Sequence, residues 1–322
     1  MFTTALQWSS TSEEVARVAY AGSQLAQAPI TARNFKLGAV IVTMGNRPVQ
    51  FKALLDSVRA QVGPPLEVVV VGNGTALPGL PEDVQGIELP ENLGLLAGRN
   101  VGLAVLRGRR DIDAVLHLDD DGLLPDPHSA EKLRAAFMAD PSLGIIGFRI
   151  ADETGVSQRR HVPRLRAGDP MRASEVTTFL GGGNAIRMDV VEETGDWPAE
   201  FYWAHEETDV AWRALDRGWR IAYRPDILLQ HPRTSPSRHP VYYRMTARNR
   251  VWLARRHLPI PLVPLYLGAW ALITILRRPP LAGLRDWMAG FLEGWRSPCG
   301  LRRPMRWRTV WRMTRLGRPP IV

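Results

Sequence analysis

Three consecutive carboxylates follow a short apolar segment in the middle of the chain. Asp119, Asp120 and Asp121 come directly after residues 114–118, which have the length and composition of a buried strand. Adjacent carboxylates repel one another unless a cation neutralises them. Residues two apart leave a strand on the same side, so Asp119 and Asp121 can converge on one ion. Their oxygen atoms suit Mg²⁺ or Mn²⁺. The triplet predicts a divalent-metal site, and the alternative is a solvated turn that caps the next helix.

A second acidic group stands further along the chain, where a helical pattern begins. Glu206, Glu207 and Asp209 occupy its first turn, and the helix dipole alone favours acidic side chains there. A carboxylate near a second anionic site can also take a proton from a hydroxyl, as a general base does. His231 ends a short apolar segment and is either a structural histidine or a third metal ligand through a neutral ring nitrogen. The sequence thus predicts one metal centre and one basic carboxylate.

Apolar segments of strand length alternate with helical patterns from Leu37 onward. Strands are predicted at 37–43, 66–71, 86–89, 114–118 and 144–150, with two short ones at 220–223 and 227–230; helices are predicted at 51–58, 93–106, 129–139 and 206–217. This alternation is typical of an α/β fold with a mostly parallel sheet, which binds ligands at the carboxyl ends of its strands. The Asp119–Asp121 triplet stands at such an end.

The loop after the first predicted strand carries no phosphate-binding glycine motif. Its residues, Met44-Gly-Asn-Arg47, match neither G-x-G-x-x-G nor the P-loop pattern. This argues against a dinucleotide-dependent dehydrogenase and a P-loop enzyme. A metal-dependent nucleotidyltransferase remains an alternative, although it normally has a richer glycine and basic loop at this point.

Eight short motifs occur in a fixed order along residues 37–231. They are Val42-Thr43; Gly72-Asn73-Gly74; Asn92-Leu-Gly94 with Gly98-Arg99-Asn100; Leu118-Asp119-Asp-Asp121; Gly182-Gly183-Asn184-Ala185; Glu206-Glu207-Thr-Asp209 with Trp212-Arg213; Gly218-Trp219-Arg220; and His231. This order resembles the family 2 inverting glycosyltransferases of the GT-A fold, especially bacterial rhamnosyl- and galactofuranosyl-transferases. The resemblance implies a Rossmann-like sheet, a nucleotide-sugar donor and a divalent cofactor, Mg²⁺ or Mn²⁺.

The resemblance also implies a role for each motif residue. Asp119 and Asp121 would hold the ion that bridges the donor diphosphate, with His231 as the third ligand. Glu207 matches the catalytic base, and Asp209 remains the alternative. Thr43, Asn73, Arg99 and Asn100 would line the nucleotide pocket, Asp120 would contact the donor ribose or sugar, and Gly182, Gly183 and Asn184 would form the loop between donor and acceptor. Trp203, like its neighbours Trp197 and Tyr202, would either stack on a sugar face or pack in the core.

The implied reaction is a single displacement. Glu207 would deprotonate an acceptor hydroxyl, whose oxygen attacks the anomeric carbon opposite the leaving nucleoside diphosphate, so the configuration inverts. The family often has an aspartate where this chain has Gly72, and that aspartate reads the nucleobase. The choice among UDP, dTDP and GDP donors is therefore left open.

Charge is distributed unevenly along the 322 residues, whose formal net charge is +9. Residues 232–322 contain 18 arginines, only two acids (Asp286 and Glu293) and six of the 11 tryptophans, whereas the preceding part is net acidic. The composition, 45% hydrophobic and 23% charged, excludes wholesale disorder, collagen and coiled coil. The asymmetry predicts that the C-terminal region meets an anionic surface.

Residues 258–276 contain no charged side chain and are flanked by arginines on both sides. Pro259, Pro261 and Pro264 leave a helix that is short for spanning a bilayer, so the segment predicts an interfacial helix with Trp270 at headgroup depth. One alternative is a helical region packed on the catalytic body. Another is binding to nucleic acid, which the uncharged stretch disfavours.

We expect an N-terminal extension (1–34), a catalytic domain (35–235) and a helical, basic, membrane-associating region (236–322). The single cysteine, Cys299, allows neither an internal disulfide nor a cysteine-based zinc site and fits a reducing compartment. The N-terminus lacks the pattern of a secretory signal. The expected protein is cytoplasmic, peripheral on the inner face of the membrane, and transfers sugar to a polyprenyl-linked or cell-surface glycan acceptor. A basic membrane-binding or nucleic-acid-binding protein with an inactive scaffold is the non-enzymatic alternative.

Overall fold

A computed structural model describes residues 35–165, 168–233 and 241–321. The compact unit begins at Phe35 and contains one mixed sheet, helices on both of its faces and further helices towards the C-terminus. The predicted extension at 1–34 lies outside the described residues.

The sheet of the described chain has eight strands in the order β3-β2-β1-β4-β7-β5-β8-β6. Neighbouring strands are parallel except where β7 lies between β4 and β5 and where β6 pairs with β8. The predicted mostly parallel α/β sheet is therefore confirmed. The strand bounds are Leu37–Thr43 (β1), Glu67–Asn73 (β2), Val84–Leu89 (β3), Ala114–Asp119 (β4), Leu143–Ala151 (β5), Ser174–Glu175 (β6), Gly183–Arg187 (β7) and Arg220–Gln230 (β8).

In the described residues, five α-helices accompany these strands and four follow them. The bounds of the first five are Pro48–Arg59 (α1), Leu95–Gly108 (α2), Ser129–Ala139 (α3), Met188–Thr194 (α4) and Glu206–Arg217 (α5). The four that follow are Tyr242–His257 (α6), Leu262–Leu276 (α7), Leu281–Arg296 (α8) and Trp307–Arg315 (α9).

Alternate residues of the central strands supply two hydrophobic cores, one on each face of the sheet. Ala39 and Ile41 of β1 face the core that α1 and α3 cover, whereas Val40 and Val42 face the core that α2 and α5 cover. Side chains alternate across a strand, so a continuous apolar segment such as β1 serves both cores. Val251 and other residues of α6 belong to the second core, so the C-terminal helices share it with the catalytic part. The predicted boundary at 235/236 falls within 234–240, outside the described residues.

The carboxyl ends of the central strands meet at one edge of the sheet. In the parallel register, Val42 pairs with Asp119 and Thr43 with Gly72. Because β7 runs antiparallel to β4, its first residue, Gly183, pairs with Leu118 at the same edge. The polar residues that follow β1, β2 and β4 are thereby brought to the start of β7.

Two glycines let α2 approach the sheet closely. A Cβ on Gly98 would lie 2.8 Å from Val42 Cγ1, and one on Gly102 would lie 2.7 Å from Val40 Cγ1. These contacts are shorter than side chains tolerate. Because Gly98 and Gly102 lack a Cβ, α2 lies close enough to the sheet for Arg99, on the same helix, to reach the end of β4.

The C-terminal helices pack by a similar device. On α8, a Cβ at Gly290 would lie 2.1 Å from the carbonyl oxygen of Arg244 on α6, and one at Gly294 would lie 2.7 Å from Val251. The close contact fixes α8 against α6. In the described part of the chain, none of the helices combines the length and the apolar character that crossing a bilayer requires.

Candidate active site

Asp119, Asp121 and His231 offer three ligand atoms that all lie within 4.8 Å of one another. His231 Nε2 is 3.1 Å from Asp121 Oδ1 and 4.0 Å from Asp119 Oδ2. Ligands of an octahedral Mg²⁺ ion lie about 3 Å apart when adjacent and about 4 Å apart when opposite, given bonds of about 2.1 Å. The structure thus brings together the three residues predicted as ligands, at separations that suit one divalent ion.

The tautomer of His231 is also suited to a ligand. Its Nδ1 is 2.9 Å from the carbonyl oxygen of Pro232, which can only accept a hydrogen bond. Nδ1 therefore carries the proton in the neutral ring, and Nε2 has the free lone pair that a metal requires. Burial alone would lower the pKa of His231, but the hydrogen bond to Asp121 and the charges of Asp121 and Asp119 raise it above its ordinary value.

Two arginines contact the aspartate triplet, one from α2 and one from the loop after β1. Arg99, 1% exposed, donates from Nη2 to Asp119 Oδ1 at 2.7 Å. Arg47, in the loop after β1, lies 3.0 Å from Asp120 Oδ1 and 2.8 Å from Asp121 Oδ2. Sequence reasoning did not assign Arg47 to the site, although its position after the carboxyl end of β1 is where this class of sheet binds ligands.

The pKa values of Asp120 and Asp121 move in opposite directions. Burial raises the pKa of Asp120 despite the hydrogen bond that Thr43 Oγ1 donates to it at 2.8 Å. Burial also opposes ionisation of Asp121, but the hydrogen bond and charge of His231, with the charge of Arg47, hold its pKa below the ordinary value. The carboxylate that faces His231 is thus the one whose pKa is lowered.

A glycine loop connects the aspartates to the acidic helix. Gly181 N–H donates to Glu207 Oε1 at 3.1 Å, and the Gly182 carbonyl accepts from Asp119 N–H at 3.3 Å. A Cβ on Gly182 would lie 2.4 Å from Asp119 Oδ2, and one on Gly181 would lie 2.9 Å from Glu207 Oε1. Only glycine leaves room for both carboxylates here. Gly183 and Asn184, which were predicted in this loop, are instead the first two residues of β7.

Glu206 and Glu207 open α5; Glu206 is buried and Glu207 is partly buried. Burial and then the charge of Glu207 raise the pKa of Glu206 to about 8. Burial also raises the pKa of Glu207, opposed by backbone hydrogen bonds and the charge of Arg99 and reinforced by Asp119. A carboxylate with a raised pKa is a better proton acceptor than an exposed one, which is what a general base requires.

Asp209 lies away from this group, in a network of cations. Its side chain is 1% exposed; Oδ1 is 2.6 Å from His257 Nε2 and 3.3 Å from Arg256 Nη1, and Oδ2 is 2.8 Å from Arg213 Nε. Burial opposes ionisation, but these three partners hold its pKa well below the ordinary value. A carboxylate so held has little tendency to take up a proton. The structure therefore argues against Asp209 as the base and makes it the anchor between α5 and α6.

Thr43 and Asn73 stand at the edge where the strands end, as predicted for the nucleotide pocket. Both are buried. Asn73 donates from Nδ2 to Asn92 Oδ1 at 2.8 Å and accepts from Leu93 N–H at 2.9 Å. Asn73 thus fixes the loop before α2, which is a positioning role as well as a possible wall of the pocket.

Asn100, which is partly buried, and Asn184, which is fully buried, belong to one relay of hydrogen bonds. Asn100 bonds the backbone of Trp197 in both directions, at 2.9 and 3.0 Å. Trp197 Nε1 donates to His117 Nε2 at 3.1 Å, and His117 Nδ1 is 3.2 Å from Asn184 Oδ1. Asn184 Nδ2 then donates to the carbonyls of Leu180 and Gly181. The relay positions the glycine loop, so the expectation of direct substrate contact by these amides is not supported by their geometry.

The segment before α5 is held in a strained conformation. Tyr202, Ala204 and His205 have φ of 61°, 70° and 69°, a region that non-glycine residues rarely adopt. Asn249 of α6 donates from Nδ2 to the carbonyls of Phe201, Trp203 and Ala204, at 2.8 to 3.0 Å. Sequence reasoning missed Asn249, because nothing in the basic pattern of α6 distinguishes it.

The aromatic side chains of this segment differ in exposure. Tyr202 is 54% exposed, whereas the ring of Trp203 packs edge to face on Tyr242 at 5.8 Å. Trp197 is buried, with Arg99 over its ring at 5.0 Å. The packing interpretation therefore holds for Trp197 and applies to one face of Trp203, and Tyr202 is the ring open to a ligand.

The site combines a place for one cation, an acidic group able to accept a proton and arginines able to bind phosphate. Such a set can neutralise a diphosphate and deprotonate a hydroxyl beside it.

Comparisons with known proteins agree with this chemistry. Residues 39–195 match the family model described as glycosyl transferase family 2. A curated relative, the pre-mycofactocin glycosyltransferase of Mycobacterium tuberculosis, is 25% identical over 289 residues, covering 82% of this chain. The chain spans only 58% of the length of that relative.

Solved structures give the same fold at low sequence identity. S. aureus TarS (residues 1–349) in complex with UDP-GlcNAc has a TM-score of 0.56 and 16% identity, over 86% of this chain and 83% of that one. GalNAc-T7 with UDP, GalNAc and Mn²⁺ has a TM-score of 0.56 and 14% identity, over 82% and 56% of the respective chains. Residues 39–195 thus match the glycosyl transferase family 2 model, and the solved structures show that the chain has the same fold as these glycosyltransferases.

Proposed function

We propose that this glycosyltransferase is a metal-dependent, inverting enzyme that moves a sugar from a nucleoside-diphosphate donor to a polyprenyl-linked or cell-surface glycan acceptor. One observation carries the proposal: the glycine loop contacts both Asp119, in the three-ligand cluster, and Glu207. A donor diphosphate held at the cluster would therefore present its sugar beside the acidic residue that accepts a proton.

The donor set suits Mg²⁺ or Mn²⁺. Asp119 and Asp121 supply carboxylate oxygens and His231 supplies Nε2, which leaves positions for diphosphate oxygens and water. When bound, such an ion neutralises the charge that develops on the departing nucleoside diphosphate. A nucleotide sugar is also what the solved complex of S. aureus TarS contains.

The chain's own residues would orient the donor. Arg47 lies against Asp120 and Asp121 and would turn from these carboxylates to the donor phosphates once a cation is bound. Arg99, on α2, holds Asp119 in place by a hydrogen bond. Thr43 and Asp120, which are hydrogen-bonded to each other, would meet the ribose or sugar. Gly72 occupies the position where the family often has an aspartate that recognises the nucleobase. The choice of nucleobase is therefore left open.

Glu207 would act as the base. Its raised pKa suits proton abstraction from an acceptor hydroxyl, and attack from the side of the glycine loop would displace the diphosphate with inversion. No covalent sugar–enzyme intermediate is needed. Glu206, whose pKa is raised to about 8 by burial and the charge of Glu207, would retain its proton at neutral pH beside Glu207.

The acceptor side is proposed to meet the cytoplasmic face of a membrane. We define the apolar helical surface as the exposed residues Leu265, Leu272, Ile275 and Leu276 of α7 with Leu281, Met288, Leu292 and Trp295 of α8. Exposed arginines at the ends of these helices, Arg277, Arg278 and Arg296, complement anionic lipid. Nucleic acid fits this surface less well, because exposed leucines make no favourable contact with a charged phosphate backbone.

Donor turnover tests the proposal. Release of the nucleoside diphosphate is measured for a panel of nucleotide sugars with Mn²⁺, with Mg²⁺ and with EDTA. We expect Asp121→Ala to lower turnover by about a hundredfold or more, since a metal ligand is lost, while Asp286→Ala, on the exposed side of α8, leaves it unchanged. Full activity in EDTA would contradict the metal assignment.

A further inference from the structure

A small cavity of about 50 Å³ lies on the side of α5 that carries His205 and Thr208. Its walls come from Thr177 and Thr178, from α6 and α7, and from the last described residues of the chain. No step of the proposed reaction uses it.

Arg250 reaches this cavity without a carboxylate partner. Its guanidinium lies 3.3 Å from the ring centroid of Trp270 and is hydrogen-bonded to Tyr266. Within the described chain no carboxylate lies within 4.0 Å of it, whereas Arg248 and Arg256 on the same helix both have acidic partners. Burial lowers the pKa of Arg250, which reflects the cost of a cation kept from water. An anion would offset that cost.

Further donors line the same cavity. Among the described residues, His205 Nε2 and Trp270 Nε1 are buried and have no hydrogen-bond partner. The pKa of His205 lies well below its ordinary value because of burial and the charges of Arg250 and Arg318. The neutral imidazole can still donate one N–H, and the indole N–H can only donate. Arg318 adds a second guanidinium to the wall.

We propose that this cavity binds a phosphoryl group, held by Arg250, Arg318, Trp270 and His205. Donors and cations converge there, and none of the described residues that line the cavity is acidic, which selects an oxyanion. The volume admits a group of a few heavy atoms and excludes a nucleotide. The source is either the phosphate of a lipid-linked acceptor, a case that rests on the proposed function, or a phospholipid headgroup.

Isothermal titration of the full chain with inorganic phosphate tests the site. EDTA is present throughout, so that no metal-bound phosphate contributes. We expect saturable binding at one site, a Kd at least tenfold weaker for Arg250→Gln, and an unchanged Kd for Arg110→Gln, which removes an exposed arginine outside the cavity. No saturable binding, or equal weakening by both substitutions, would overturn the inference.

Trp270→Phe is a second, more conservative test in case Arg250→Gln fails to fold. It removes one N–H donor and keeps an aromatic ring beneath Arg250. We expect the Kd for phosphate to rise at least threefold, and an unchanged Kd would exclude Trp270 from the site. Asp121→Ala should keep phosphate binding while it loses donor turnover, so failure of this inference is distinguishable from failure of the proposed function.

Competition separates the two sources. Phosphate that displaces the native chain, but not Arg250→Gln, from vesicles containing phosphatidylglycerol would assign the cavity to a headgroup. Displacement of bound phosphate by farnesyl phosphate, a short analogue of a lipid-linked phosphate, with vesicle binding unaffected by Arg250→Gln, would assign it to the acceptor. If neither probe competes with phosphate, the cavity is not a lipid-phosphate site.

Discussion

Glu207 combines a raised pKa with a hydrogen bond from the glycine loop, and this predicts a pH dependence. A base must be ionised, so kcat should fall as pH is lowered through the pKa of Glu207, which lies above the ordinary value because of burial. Glu207→Gln should lower kcat by about 10²–10⁴-fold, the usual contribution of general base catalysis.

Initial rates measured from pH 5 to 9 at saturating donor check this. Glu206→Gln is the matched control: it alters the neighbouring acid and should retain the acidic limb of the profile. Loss of that limb in Glu206→Gln with its retention in Glu207→Gln would reverse the assignment of the base.

Gly182 is the residue where a single methyl group should disturb the metal cluster. In Gly182→Ala the new Cβ would lie 2.4 Å from Asp119 Oδ2, so this carboxylate must leave its present position in the metal cluster. We expect the concentration of Mn²⁺ that gives half-maximal activity to rise at least tenfold. Gly108→Ala, where a Cβ meets nothing within 4 Å, should leave it unchanged.

At this scale, sequence predicted the ligand trio but not the task of each amide. Asp119, Asp121 and His231 have few uses other than cation binding once a strand end brings them together. Asn100 and Asn184 are different, because an amide bonds a substrate and a peptide group equally well. Only the position of Trp197 and His117 in three dimensions shows that both amides serve the relay of hydrogen bonds.

The segment that connects Phe201 to α5 is held in place from outside its own element. Three of its residues have positive φ, a conformation that persists only where surrounding contacts enforce it. Asn249 on α6 supplies such contacts through three carbonyls. The first turn of α5, with Glu207, therefore depends on a helix that lies beyond the family-matched residues.

Asn249→Ala should remove the hydrogen bonds that hold the segment before α5. Three carbonyls lose the bond from Asn249, although that of Phe201 still accepts from Arg248 Nη2. We expect about 1–3 kcal/mol of lost stability and a kcat lowered more than tenfold with little change in donor KM. Thermal unfolding and steady-state kinetics measure both. A parallel loss in donor KM would mean that the donor site as a whole has collapsed, which contradicts a role limited to the base.

The predictability of the elements follows from their patterns. The bounds of β1, α3 and α5 agree with those predicted, because each has an unbroken apolar or helical period. The two short strands predicted at 220–223 and 227–230 are one strand, β8, whose register with β5 shifts between Phe148 and Arg149. The antiparallel strand β7 was not predicted, since Gly183–Arg187 is short and begins with two polar or glycine residues.

Across the whole molecule, the basic C-terminal helices complete the catalytic part and also carry the apolar helical surface. Leu272→Glu with Ile275→Glu should lower binding to phosphatidylglycerol vesicles at least tenfold, because two exposed apolar side chains become anionic. Raising the salt from 0.15 to about 0.5 M should also weaken binding, since charge attraction is screened.

Vesicle sedimentation measures both effects. Val156→Glu with Met171→Glu makes the same changes at exposed apolar residues elsewhere and should bind as the native chain does. Equal losses in the two double variants would indicate that net charge alone governs binding and would remove the apolar helical surface from the account.

The reversed direction of β7 separates two parts of the chain that can diverge independently. β4 delivers the aspartates and β7 receives the glycine loop at the same edge, while the long connection from β5 to β7 is tethered at both ends and contributes none of the cation ligands. Replacement of the part of that connection that precedes Gly181 would change the surroundings of the proposed sugar site without altering the three candidate cation ligands. Proteins built on this sheet could therefore vary the proposed acceptor site while they keep the proposed site for the donor diphosphate.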